Sequence, residues 1–120
     1  MTPRLKVYTL ANCDTCRRAV KWLRAKEIFF EERPIRESPP TPSELRAMLN
    51  AFGGERRKLF NTAGRDYRDQ EIAVKLPSLS DAEVIALLAS NGNLVKRPFA
   101  IGHDVALIGF DEKKWSEAFR

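Results

Sequence analysis

Cys13 and Cys16 are the two cysteines of the chain and stand as Cys13-Asp14-Thr15-Cys16. Two thiols at that spacing serve either reversible disulfide chemistry or half of a metal site. Zinc asks for four ligands, and the only other candidate here is the lone histidine, His103. Redox chemistry without a bound metal is therefore the expectation. A cysteine at the start of a helix meets unpaired backbone amides and the positive end of the helix dipole, which favour the nucleophilic thiolate. Cys13 falls at such a position. Cys16, three residues further on the same helical side, could attack a mixed disulfide on Cys13, release the product and leave an intramolecular disulfide. It also lies among Ala19, Val20 and Leu23, so resolving and packing roles both stay open. Asp14 opposes thiolate formation if close, whereas Arg17 assists it.

The elements that must position this pair follow from the patterning. Leu5 to Leu10 is a β-favouring run closed by Ala11-Asn12, and apolar residues then recur at three and four positions from Asp14. The pair thus spans a strand-to-helix junction. Ile28 to Glu32 reads as a second strand, ended by Arg33-Pro34. Thr41-Pro42-Ser43-Glu44 is a capping box with proline at the first helical position, opening a helix with Leu45, Met48, Leu49 and Phe52 inside; Gly53-Gly54 stops it. Arg56 to Phe60 predicts a helical turn and Tyr67 to Lys75 a short helix. Ser80 with Glu83 is a second capping box, with Leu79 and Val84 placed as its hydrophobic staple, and this helix ends near Ser90-Asn91-Gly92. Phe99 to Gly102 and Val105 to Gly109 read as a hairpin turning at His103-Asp104, which gives the histidine a turn role. Asp111 caps a last helix carrying Trp115 and Phe119 on one face. Tyr67 and Trp115 read as packing residues.

A strand-helix-strand unit needs a parallel pair and the late hairpin an antiparallel one. The expected fold is α/β: a mixed four-stranded sheet flanked by helices, with a helical insertion between strands 2 and 3. At 120 residues and 43% apolar content the chain is expected to form a single domain over residues 1–120. A formal charge of +5 favours anionic partners but is spread over several elements, so no direct DNA binding is expected. No run is long enough to cross a bilayer, and Met1-Thr2-Pro3-Arg4 leads into the first strand instead of a signal-peptide core. The expected location is cytoplasmic, where a structural disulfide is disfavoured.

Val7-Tyr8-Thr9-Leu10-Ala11-Asn12-Cys13-Asp14-Thr15-Cys16-Arg17, Leu59-Phe60-Asn61-Thr62-Ala63-Gly64 with Tyr67-Arg68, and Lys96-Arg97-Pro98 followed by Leu107-Ile108-Gly109-Phe110 and Trp115 resemble, in order and spacing, the arsenate reductase-like ArsC/Spx/YffB group. The resemblance implies a thioredoxin-like fold with a helical insertion at about 34–96, and thiol chemistry with Cys13 as nucleophile. It also implies a cis Arg97-Pro98 bond that brings Arg97 beside the cysteine, where a guanidinium can hold an oxyanion or glutathione carboxylates and stabilise the thiolate. Asn12, Arg17, Asn61 and Pro98 take substrate- or thiol-binding positions by the same likeness. Glutathione-coupled arsenate reductases resemble a pattern with arginines where this chain has Asn61 and near Gly109, which speaks against arsenate as the substrate.

The expected function is a thiol-dependent oxidoreductase in which Cys13 attacks an oxidised substrate, Arg97 orients it, and Cys16 or glutathione resolves the adduct. Glutathione, glutaredoxin or thioredoxin is the expected electron donor, a small thiol or oxyanion the substrate, and the state monomeric with no bound cofactor. The alternative is an Spx-like redox-switched regulator that binds RNA polymerase.

Overall fold

The computed structural model describes residues 5–119. Met1 to Arg4, read above as the lead-in to the first strand, and Arg120 lie outside the described residues. Two compact units are present: one holds the chain up to Pro34 and from Arg97 on, the other Ile35–Lys96.

In the first unit β1 (Lys6–Thr9) is central because its side chains are buried on both faces, at Val7, Tyr8 and Thr9. It pairs in parallel with β2 (Glu31–Pro34), Lys6 opposite Glu31, and antiparallel with β3 (Phe99–Ile101), Val7 opposite Ala100. β3 pairs antiparallel with β4 (Ala106–Ile108), giving the order β2-β1-β3-β4. The hairpin turn is closed by the Gly102 amide donating to the Val105 carbonyl at 2.8 Å.

Helix α1 (Asp14–Ala25) carries the expected stripe of Cys16, Ala19, Val20 and Leu23, extended by Trp22. Leu5, Val7 and Ala100 of the sheet, Ala19, Trp22 and Leu23 of α1, and Trp115 of the C-terminal helix Glu112–Ala118 form one core. Burying such a side chain contributes about 1.5–3 kcal/mol. The Trp22 and Trp115 rings meet edge to face at 6.1 Å, and Trp115 Nε1 donates to the Gly109 carbonyl at 3.0 Å. These contacts hold α1, and with it the cysteine pair, against the sheet. Asp111 caps the last helix by accepting from the Lys114 amide, as its position predicted.

The second strand departs from expectation: it begins at Glu31 and includes Pro34. The end of α1 explains the shift. The Ile28 amide returns to the Leu23 carbonyl at 3.0 Å while Glu27 takes a left-handed φ of 56°, a Schellman-type closure that uses up the residues expected to start the strand. Pairing begins only where the Glu31 amide reaches the Leu5 carbonyl at 2.8 Å. β2 is an edge strand, so Pro34 removes no ladder donor.

The second unit is the helical region between β2 and β3. Both capping boxes form: the hydroxyls of Thr41 and Ser80 accept from the amides of Glu44 and Glu83, whose carboxylates accept from the cap amides. They open α2 (Pro42–Ala51) and α3 (Asp81–Ser90). Phe52, expected inside with Leu45, Met48 and Leu49, is only half-buried. A 3-10 turn forms at Arg56–Leu59. The helix expected at 67–75 is two short pieces, Arg65–Asp69 and Ile72–Lys75, because Glu71 adopts a left-handed φ of 52° between them.

Candidate active site

The chain leaves β1 through Leu10 and makes a tight turn over Ala11 and Asn12, closed by the Cys13 amide donating to the Leu10 carbonyl at 3.2 Å. Asn12 is exposed in that turn. Cys13 then caps α1 in extended conformation, and its Sγ accepts the Cys16 amide at 3.2 Å. An unpaired first-turn amide thus points at the sulfur, a donor that strengthens when the sulfur is charged. Both cysteines are free thiols; Cys13 is half-buried and Cys16 is 2% exposed.

Burial pushes the Cys16 thiol up to about 12 from an ordinary value of 9.0. Its side-chain hydrogen bond with Cys13 adds to this rise, and the charge of Cys13 adds further. A backbone hydrogen bond at Leu10 and the Arg97 guanidinium pull the other way. The two sulfurs therefore differ in kind: one half-accessible and held by an amide, the other buried and holding its proton.

Arg97 precedes Pro98 across a cis peptide bond, as the resemblance implied, and acts electrostatically on Cys16. Pro98 is buried, and its carbonyl accepts the Gly109 amide at 2.9 Å, which ties the start of β3 to the end of β4. Arg17 is held at the mouth of the helix: it donates to the Ala11 carbonyl at 3.1 Å and pairs with the Asp14 carboxylate. Asp14 and Arg17 are thus joined in one ion pair. Asn61 belongs to the second unit, where its amide donates to the Leu94 carbonyl at 2.7 Å and its carbonyl accepts from Gly64 at 3.0 Å. Among the described residues, no three His, Cys, Asp or Glu side chains group so as to hold a metal ion. His103 is in the hairpin turn, exposed, with Nε2 4.0 Å from Asp104.

Thr9 was not singled out by the sequence. It is buried at the end of β1, and its hydroxyl donates to Glu32 at 2.6 Å, which fixes the strand ends just before the cysteine turn. A threonine in a β-favouring run carries no signal for that role.

The ArsC family model matches residues 8–118. The chain belongs to the ArsC family. The uncharacterized protein YusI of Bacillus subtilis is 38% identical over 113 residues, 94% of this chain and 96% of that protein. The global transcriptional regulator Spx of Enterococcus faecalis is 31% identical over 108 residues, covering 90% and 80% of the two chains. An ArsC family related protein from Bacteroides fragilis superposes with a TM-score of 0.90 at 36% identity, covering 98% and 99%. The four-stranded order and the helical region between β2 and β3 are those of the ArsC thioredoxin-like fold. Among the described residues no helix is long and apolar enough to cross a membrane.

The raised Cys16 thiol has a consequence for stability. Above pH 9 the unfolded chain gives up this proton while the folded chain keeps it, so the unfolded state binds fewer protons and stability falls as pH rises from about 9 toward 12. Below pH 9 the contribution is complete. Urea unfolding of the parent and of Cys16→Ser across this range should show the parent losing stability relative to the variant. Parallel curves would contradict the buried, protonated state.

Proposed function

We propose that this ArsC-family chain is a thiol-disulfide oxidoreductase with Cys13 as its nucleophile. The observation that carries the reading is the asymmetry of the pair: a half-accessible sulfur on a helix amide beside a buried, protonated one. The Cys13 thiolate attacks one sulfur of an oxidised substrate, forms a mixed disulfide and expels the other substrate sulfur as a thiolate. Cys16, on losing its proton, attacks the Cys13 sulfur, expels the second substrate thiolate and closes the Cys13–Cys16 disulfide. Two electrons from glutathione, glutaredoxin or thioredoxin reopen it. Arg97 orients an oxyanion or carboxylate of the substrate beside the sulfur, with Asn12, Arg17 and Pro98 as the substrate- and thiol-binding set.

Oxidised glutathione tests the sequence of steps. In Cys16→Ser a stable glutathione adduct should accumulate on Cys13, read by intact mass and peptide mapping. In the parent the adduct should give way to an intramolecular disulfide. An absence of any adduct on Cys13 in both proteins would sink the proposal, and an adduct equally persistent in both would assign resolution to glutathione and packing to Cys16.

Likeness to Spx favours a second reading, a redox-switched regulator that binds RNA polymerase. Capture of RNA polymerase by the oxidised but not the reduced protein, with no disulfide reductase turnover, would support it instead.

A further inference from the structure

The second unit contains a cleft lined by none of the residues assigned above to the thiol chemistry. Its volume is about 960 Å³, near the upper end of the usual range for small-molecule sites, ~300–1,000 Å³. The aromatic residues Phe60 and Tyr67 and the aliphatic Leu76 and Pro77 are among those that line it. The Phe60 and Tyr67 rings pack against each other at 5.8 Å.

Four cations line the same cleft, and the structure separates them into two kinds. Arg56 is committed to the fold: its guanidinium donates to the Leu76 carbonyl at 2.9 Å and to the Leu79 carbonyl, and lies 3.7 Å from Asp81. Lys58 is paired with Glu55 at 2.7 Å. Arg57 and Lys96 are exposed, and neither makes a side-chain hydrogen bond or ion pair with a described residue. Two cations with no acidic partner beside an aromatic wall form a site of mixed character. Phe60 and Tyr67 are 1% and 6% exposed, so an apolar body gains by leaving water chiefly against the exposed Ala73 and Pro77 that line the cleft with them, and a negative head gains from Arg57 and Lys96.

We propose that this cleft binds a small amphipathic anion: an aromatic or aliphatic body carrying a carboxylate, sulfonate or phosphate. The ligand's body lies against Ala73, Pro77 and the exposed edge of Tyr67, and its head meets Arg57 and Lys96. The planar fork of Arg57 can take two oxygens at once, while Lys96 supplies a point charge. The residues that line the cleft all belong to the second unit, whereas both cysteines belong to the first.

The probe is 1-anilinonaphthalene-8-sulfonate, an aromatic sulfonate whose fluorescence rises on leaving water, titrated against the full chain. Binding at one equivalent, displacement by 2-naphthyl phosphate and weakening in 0.5 M salt are expected. Arg57→Ala and Lys96→Ala should each weaken binding by about tenfold, the loss of one charge-assisted contact. Arg18→Ala, which removes a cation outside the cleft, and Cys13→Ser should bind as the parent does. Near-ultraviolet circular dichroism confirms that each variant is folded, and Arg57→Lys, which keeps the charge, should recover some of the affinity.

Three results would overturn the proposal: no binding by the folded parent, affinity unchanged in the Arg57→Ala and Lys96→Ala double variant, or failure of 2-naphthyl phosphate to displace the probe. Displacement by an acidic peptide but not by the naphthyl phosphate would assign the cleft to a protein partner and likewise overturn it. Loss of thiol turnover in Cys13→Ser with probe binding intact separates this site from the one at the cysteines.

Discussion

Cys13→Ser is expected to abolish thiol-dependent reduction, with a loss of about 10⁴-fold or more, because removing a covalent nucleophile removes the step itself and not just one contact. The substitution is close to isosteric, and the serine hydroxyl can still accept the Cys16 amide as an ordinary N-cap. The fold should therefore persist, and thermal denaturation within a few degrees of the parent would show that it does. Turnover is measured with a small disulfide substrate and an NADPH-coupled glutathione or thioredoxin system. Full turnover in Cys13→Ser would end the mechanism.

Cys16→Ser probes the other half of the pair and should behave differently. In the reduced protein Cys16 holds its proton for three reasons: burial first, then its hydrogen bond with Cys13, then the Cys13 charge. Once Cys13 is bound in a mixed disulfide its sulfur is neutral, so the last two reasons weaken, and the pull of Arg97 and the Leu10 backbone acts against burial alone. On the proposed mechanism, Cys16 would thus stay protonated while Cys13 attacks and be eased toward ionisation once Cys13 is the target. Cys16→Ser should retain the first attack and lose the second. With excess glutathione some of the turnover should return, and Arg97→Ala should slow closure of the disulfide.

The regions of the fold that were legible in the sequence are those written in local chemistry. The two capping boxes at Thr41 and Ser80 name their own hydrogen bonds, and both form. The change of period after Asp14 places the cysteine pair at a strand-to-helix junction, where it is found. What could not be read depends on left-handed backbone at residues other than glycine. Glu27 and Glu71 both take positive φ, one delaying β2 and the other splitting the helix expected over Tyr67 to Lys75. Glutamate carries no local signal for that conformation; at Glu27 it accompanies the return of the Ile28 amide to the Leu23 carbonyl. At the site, the identity of Cys13 as helix cap was legible, whereas the ion pair of Asp14 with Arg17 and the buried Thr9–Glu32 bond depend on side-chain placement that spacing does not reveal.

Gly92 is expected to be the position of the second unit least tolerant of a single methyl group. It follows α3 and opens the turn Gly92–Leu94, from which the chain runs on to Lys96. A Cβ built on Gly92 would lie 1.9 Å from the Ile35 carbonyl oxygen, 2.7 Å from its carbon and 3.2 Å from the Arg36 Cα. These are backbone atoms, so no side-chain rotation can relieve the clash. Nor can Ile35 withdraw easily: it is fully buried, and Arg36 beside it donates to Asn93, one residue past the glycine. Asn91, on the other side, is tied to Asp66 at 3.0 Å and caps the turn through the Asn93 amide. Gly92→Ala must therefore push the turn away from the Ile35–Arg36 segment, to which the Arg36–Asn93 bond joins it, while the Asn91–Asp66 bond anchors the turn elsewhere, at a cost of about 3 kcal/mol or more. For a chain of this size that lowers Tm by more than about 10 °C. Gly53→Ala makes the contrast. No atom lies within 4 Å of its Cβ position, so only its left-handed φ of 65° opposes the methyl group, a cost of about 1 kcal/mol. Scanning calorimetry of the two variants beside the parent decides the matter: a Gly92→Ala protein that melts with the parent, or above Gly53→Ala, would mean that Ile35 and Gly92 are not in contact.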